Sequence, residues 1–296
     1  MATAYDFVST NKRRSIFLIG GFVVIIGALG YVIQYLYDIG PIGTIAAVGF
    51  SAMMSMVAYY SGDQIALRAS GAQGPITKQT NPYLWNMVEN LCIATGLPMP
   101  KLYVIPEQTI NAFATGRDPE HASIAVTSGA IERLENEELQ GVLAHELSHV
   151  KNFDIRFMML VTVLVGAISL LANTSLHSGG FRRRNSDSNQ GAGIIAIFGI
   201  LLVILAPIAA QLIRLSVSRK REFLADASGA LMTRYPAGLA NALAKIEADG
   251  QPMQQANSAT APLFFSSPFG KKSISSYFST HPPVADRIAA LRKMGA

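Results

Sequence analysis

The sequence predicts a mainly α-helical membrane protein that also carries a small mixed α/β domain. Two observations carry this expectation. Half of the 296 residues are hydrophobic and only 15% are charged, which is too apolar for an average soluble domain. The apolar residues are also gathered into four uncharged runs: Ser15–Tyr37, Ile42–Tyr60, Phe157–Ala172 and Gly193–Ile213. Polar sequence with strand and helix signals lies between the two pairs of runs and after the second.

The first two runs are long enough to cross a bilayer as helices. Ser15–Tyr37 is too long for the apolar part of a signal peptide, and a second span follows at once. Phe157–Ala172 is short, about 24 Å of helix. Gly193–Ile213 is full length, with Pro207 expected to kink it. Four hydrophobic helices are therefore expected, the last two either spanning or forming a non-spanning hairpin. Lys12, Arg13 and Arg14 precede the first run, and the turn Asp38–Pro41 has no positive charge. This puts the N-terminus and the polar segments in the cytoplasm. Arg68, Lys78, Lys101 and the cluster Arg214, Arg219, Lys220 and Arg221 agree with that side. Arg182, Arg183 and Arg184 disagree if both later runs span.

The chain divides into an N-terminal tail and two membrane helices (1–60), a first part of the polar domain (61–156), the hydrophobic hairpin (157–213) and a second polar part (214–296). In the first polar part, Asn81 caps a helix that has Pro82 at its first position and ends at Gly96. Strands are expected at Lys101–Ile105, Ile110–Ala114 and Ser123–Thr127, the last two joined by turn-rich "TGRDPEHA". Asn136 is expected to cap the next helix, with Glu137 and Glu138 in its first turn. The second polar part reads as helices at Arg214–Thr233 and Pro236–Ala248. A loop or flap follows at Asp249–Ser279, and a short helix after Pro282 and Pro283.

The net charge of +5 is explained by flanking residues that meet anionic lipid. No motif and no basic stripe with interleaved aromatics suggests a nucleic-acid partner. The single cysteine, Cys92, reads as a buried helix residue and not as a ligand.

The chemistry is concentrated in "HELSH". His145 and His149 lie four residues apart on one helix face, where two imidazoles can converge on one ion. Glu146 points aside, toward whatever else binds there. This is the spacing of a hydrolytic zinc enzyme, in which the metal lowers the pKa of a bound water and the glutamate takes its proton. The pattern recurs by chance on the order of once per hundred proteins of this size, so a third ligand is needed. Asn152 and Ile155 stand where the metzincin extension needs Gly and His, which excludes that family. His121 and His177 read as solvated turn and loop residues. A glutamate is the other standard ligand, and "REFLAD" offers Glu222 with Asp226 one turn later. Asp226 is placed to bond a zinc-bound histidine and fix its tautomer. The bland alternative is a solvated face paired with Arg219 or Arg221. Asp154 either supports the site from behind or caps the third run. His281 is either structural or reaches the metal cleft, and Arg287 binds a substrate or internal carboxylate. The polar part is thus expected to be a zincin-like (gluzincin) catalytic domain with one Zn2+ per chain. Its histidine helix, amphipathic and charge-rich, is expected to lie in water beside the membrane.

With these residues assembled, the chain resembles the HtpX-type membrane zinc metalloprotease family, relatives of the CAAX prenyl endopeptidase. The likeness rests on the paired N-terminal spans, "NAFATG" before "VTSGAIERL", "HELSHVKNFD", "REFLAD" after a hydrophobic hairpin, and "FSTHPPVADRIAAL". It covers nearly the whole chain. The resemblance implies zinc held by His145, His149 and Glu222, Glu146 as general base, and Asn111 and His281 lining the cleft. It further implies a bacterial inner-membrane protein with a cytoplasmic site that cleaves damaged or misassembled membrane proteins. An extended substrate could add to the strand "INAFA" through its backbone. Competing readings are prenyl-protein processing and a catalytically latent, zinc-stabilised membrane scaffold. A transporter is disfavoured, because the four runs contain no ionisable residue.

Overall fold

The computed structural model describes residues 4–37, 40–177, 208, 211–212, 218–254, 259–270 and 282–295. Among them the helices are α1 (Ala4–Tyr37), α2 (Ile42–Ala69), α3 (Pro82–Thr95), α4 (Ser128–Arg133), α5 (Asn136–Lys151), α6 (Asp154–His177), α7 (Arg219–Thr233), α8 (Pro236–Asp249) and α9 (Val284–Met294). The strands are β1 (Lys101–Ile105), β2 (Ala112–Gly116) and β3 (Ala122–Thr127).

Two helices among the described residues are long and apolar enough to cross a membrane, over Val8–Val32 and Ile42–Ala69. Large apolar side chains face outward along them, Ile16, Phe17, Val24 and Ile42 among them. That pattern suits a helix whose outer solvent is lipid. The inner faces of α1 and α2 pack against the start of α6, where Leu18, Phe22, Ala58, Phe157, Leu160 and Leu164 form one apolar cluster. The expectation of four hydrophobic membrane helices is therefore met for two. Phe157–Ala172 lies within α6, whose first half is buried inside the protein. The run Gly193–Ile213 falls almost entirely outside the described residues.

Helix starts differ from the expectations in instructive ways. α1 begins at Ala4, before the predicted run, so Lys12, Arg13 and Arg14 are helical. Asn136 is not the cap of α5 but its first residue. Glu135 caps it in a reciprocal capping box with Glu138, whose carboxylate accepts from Glu135 N–H at 2.8 Å. Ser218 precedes α7, which starts at Arg219; residues 214–217 of the predicted helix lie outside the described residues. His177 closes α6 instead of lying in a loop. The Asn81 cap holds: its side chain accepts from Leu84 N–H at 3.0 Å.

The sheet has the order β1-β3-β2, with β1 parallel and β2 antiparallel to β3. β2 starts two residues later than predicted. The Asn111 side chain itself accepts from Ala112 N–H, and Asn111 N–H donates to the Thr127 hydroxyl. The remaining edge of β2 faces α5. This helix is buried from Gly141 to Val150 within the polar domain, while Asn136, Glu137 and Lys151 at its ends are exposed. Its middle is enclosed by β2, α7 and α8, and His145, Glu146, Ser148 and His149 are buried there. The enclosure needs close backbone approach. A Cβ at Gly141 would lie 2.8 Å from Leu239 N on α8, and one at Gly229 would lie 2.9 Å from His145 N.

Candidate metal centre

Three elements meet at the buried end of α5. The helical spacing sets His145 and His149 on one face, with their Nε2 atoms 3.1 Å apart. α7 crosses this face and delivers Glu222, whose carboxylate oxygens lie 3.5 Å from His149 Nε2 and 3.9 Å from His145 Nε2. All three residues are buried, and together they could hold a metal ion. Tetrahedral donors about 2.05 Å from zinc are separated by roughly 3.3 Å, so the spacing suits that ion.

The far ring nitrogens are tied down. His145 Nδ1 is 2.9 Å from Asp226 Oδ1, and His149 Nδ1 is 3.0 Å from Asp154 Oδ2. A ring whose Nδ1–H donates to a carboxylate presents its Nε2 lone pair at the other end. The two carboxylates are held in turn. Arg287 is 1% exposed and grips Asp226 with two hydrogen bonds, Nε to Oδ2 at 2.8 Å and Nη2 to Oδ1 at 2.7 Å. Arg221 Nη1 donates to Asp154 Oδ1 at 3.0 Å. Asp154 is the first residue of α6 and not a residue capping it from outside, so of the two roles that the sequence left open it takes the one behind the site.

The charges of this buried set point to a divalent cation. Asp226 with Arg287 and Asp154 with Arg221 offset each other as ion pairs. Glu222 and Glu146 add two more carboxylates, both almost fully buried, and Arg287 Nη1 lies 3.8 Å from Glu222. Burial pushes Glu146 up to about 7, with the neighbouring Glu222 charge adding to it. Burial likewise lowers His145 to about 4, although Asp226 opposes this. For His149 burial also acts downward. The hydrogen bond to Asp154 and the charges of Glu222, Asp154 and Glu146 outweigh it and carry the ring to about 9. The same carboxylates favour any cation at that nitrogen. Asp226 would be raised by burial, but Arg287 holds it well below the usual carboxylate range.

β2 forms one wall. Ala114 N–H on its free edge faces the Glu146 carboxylate and acts to lower its pKa against the larger effect of burial. One position earlier on the same edge, Ala112 C=O accepts from Phe265 N–H at 2.8 Å. The Asn111 amide extends this contact, donating to Ser266 C=O at 2.9 Å and accepting from Ser266 N–H at 3.2 Å. The Phe265 ring stands edge-on to His145, centroids 4.8 Å apart, with the Arg287 guanidinium over it. The stretch read as a loop or flap is thus, over Leu263–Phe265, buried against the site. A cleft of about 210 Å³ lies beside it, lined by Asn111, Leu243, Ile246, Met253 and Arg287.

Among the sequence candidates, His145, Glu146, His149, Glu222, Asp226, Asp154 and Arg287 come together, and Asn111 adjoins them. His281 lies outside the described residues. His121 is exposed beside Asp118, and Cys92 is buried in α3, both away from the centre. Sequence reasoning missed the positions of Arg221 and Phe265. Arg221 stood out only as a basic flank, and Phe265 only as apolar residues in a polar loop.

Residues 78–295 match the model of peptidase family M48. The chain is 40% identical over 293 residues to a protease HtpX homolog of Dictyoglomus turgidum, covering 99% of this chain and 95% of that one. It is 43% identical over 293 residues to a protease HtpX homolog of Tropheryma whipplei, covering 98% of each. A crystal structure of S. mikatae Ste24p aligns at 21% identity and a TM-score of 0.49, over 97% of this chain and 67% of that one.

Proposed function

Since the chain belongs to peptidase family M48 and is a membrane metalloendopeptidase, we propose that it uses one zinc ion, held by His145, His149 and Glu222, to cut unfolded or misassembled membrane proteins. The observation that carries the metal assignment is the pair of Nε2 atoms facing each other, each imidazole tied at Nδ1 to its own carboxylate. A bound zinc ion supplies Lewis-acid polarisation of the scissile carbonyl and a water acidified to a pKa of about 7. Glu146 accepts a proton at its carboxylate and passes it to the leaving amine. Asp226 and Asp154 keep the two rings in register, and Arg287 keeps Asp226 from rotating.

The membrane helices support a substrate that reaches the site from the bilayer surface, because α6 leads from the histidine helix directly into the apolar cluster of α1 and α2. The Lys12–Arg14 charges support a cytoplasmic N-terminus and catalytic domain. The backbone groups on the edge of β2 support recognition of an extended chain with little sequence preference. Removal of metal from the detergent-purified protein by a chelator is expected to abolish cleavage of an unfolded model protein, and one equivalent of zinc should restore it. Cleavage that persists with no metal bound would end this reading.

One observation favours a latent form of the same enzyme. An extended substrate can reach the Ala112 carbonyl only if Phe265 N–H gives it up. Phe265→Ala, which removes the ring packed on His145, should then raise kcat/KM for a short peptide several-fold. A fall would mean that this segment only supports the site.

A further inference from the structure

The carboxylate that orients His149 is held from the membrane side as well. Asn11, on the first membrane helix, is 2% exposed, and its Nδ2 donates to Asp154 Oδ1 at 2.7 Å. The same nitrogen donates to Asn152 C=O at 2.9 Å, a carbonyl left over at the C-terminus of the histidine helix. Asn152 and Phe153 are the whole connection between α5 and α6. Phe153 adopts a left-handed backbone, φ 59°, which is unfavourable for a bulky residue. Lys12 from α1 and Arg156 from α6 sit over its ring at 4.4 and 5.1 Å. α1 therefore grips this turn at two successive residues, one through the turn's aromatic ring and one through the carboxylate that follows it.

We propose that Asn11 is a positioning residue for the metal centre: by fixing Asp154 it sets the ring of His149, so the first membrane helix is part of the site and not only an anchor. The inference rests on the metal-centre reading given above. Arg221 and Asn11 donate to the same Asp154 oxygen, Oδ1, from two different helices, and so hold it in place while Oδ2 faces His149 Nδ1. An amide suits the place, since both of its N–H groups are used, one on the turn carbonyl and one on the carboxylate.

The test is a Co2+ or Zn2+ titration of the full-length, detergent-purified chain after chelation, with the visible Co2+ spectrum recorded. Wild type should bind one ion. Asn11→Leu keeps the branched heavy-atom skeleton at a larger volume, removes both donors, and should weaken affinity on the order of ten-fold or more with a changed Co2+ spectrum. Asp154→Ala should weaken it too. In the double variant, Asn11→Leu should add little, because it acts through Asp154. Ser15→Ala, one turn along the same buried face, should leave affinity and spectrum unchanged. If Asn11→Leu does not accumulate, Asn11→Asp keeps the shape, turns the donor into a second carboxylate, and should weaken binding in the same way. Wild-type affinity and spectrum in the Asn11 variant would overturn the inference while leaving the metal site intact. A wild-type chain that binds no ion would instead overturn the reading beneath it.

Discussion

Glu146→Gln is expected to stop peptide hydrolysis while the protein keeps its metal. Glu146 belongs to the buried centre but not to the group of three side chains that converge on one point. Its carboxylate lies on the β2 side, facing Ala114 N–H. Glutamine has the same shape, so packing survives. What disappears is the ability to take and return a proton, worth on the order of 10²- to 10⁴-fold in rate. Burial brings Glu146 to about 7, close to the value at which a carboxylate both accepts and releases protons near neutrality. Zinc per chain and cleavage of an unfolded protein should be measured on the same preparation. A variant that keeps a tenth of the activity, or one that loses its zinc, would remove Glu146 from this role.

Gly229→Ala is the second large effect, and here local and tertiary physics have opposite signs. In an isolated helix this change should stabilise by about 1 kcal/mol. In the folded protein the new methyl would lie 2.9 Å from His145 N and 3.2 Å from Ala144 C, which are backbone atoms of a buried helix. They cannot rotate away, so α7 must move off α5, at a cost of about 1–3 kcal/mol for overpacking. α7 carries Glu222 and Asp226, so the displacement opens the donor set along with the packing. A lower Tm in detergent and weaker zinc binding are expected together. Gly20→Ala on α1, where no neighbour lies within 4 Å, is the control and should not lower Tm. A Gly229→Ala protein that melts higher than wild type would contradict the close crossing.

Several features were legible because they are local. The spacing of His145 to His149 and of Glu222 to Asp226 is a property of any α-helix, so the two histidines and the glutamate with its supporting aspartate could be read from the string. The Asn81 cap needs only the first turn that follows it. Other features were misread where a local signal had a competitor. Asn136 looked the better cap, but Glu135 and Glu138 satisfy each other's backbone groups one position earlier. Ile110 and Asn111 looked like strand, yet the Asn111 amide takes the Ala112 N–H for itself and turns to Ser266. The charge-rich α5 looked solvated, and Glu137 and Lys151 are exposed, but His145, His149 and Glu138 find partners in Asp226, Asp154 and Lys245 on other helices.

By itself the sequence determined that the chain has two apolar helices of bilayer length, and which residue types in which helical spacing can hold a metal and move a proton. Tertiary structure decided what surrounds them: Arg287 on Asp226, Arg221 and Asn11 on Asp154, Phe265 on the edge of β2, and α7 against α5 at Gly229. The division has a physical reason. Helical periodicity and capping act between neighbours in the chain and leave a mark on it. The hydrogen bond from Asn11 to Asp154 spans 143 positions and exists only because two helices pack side by side.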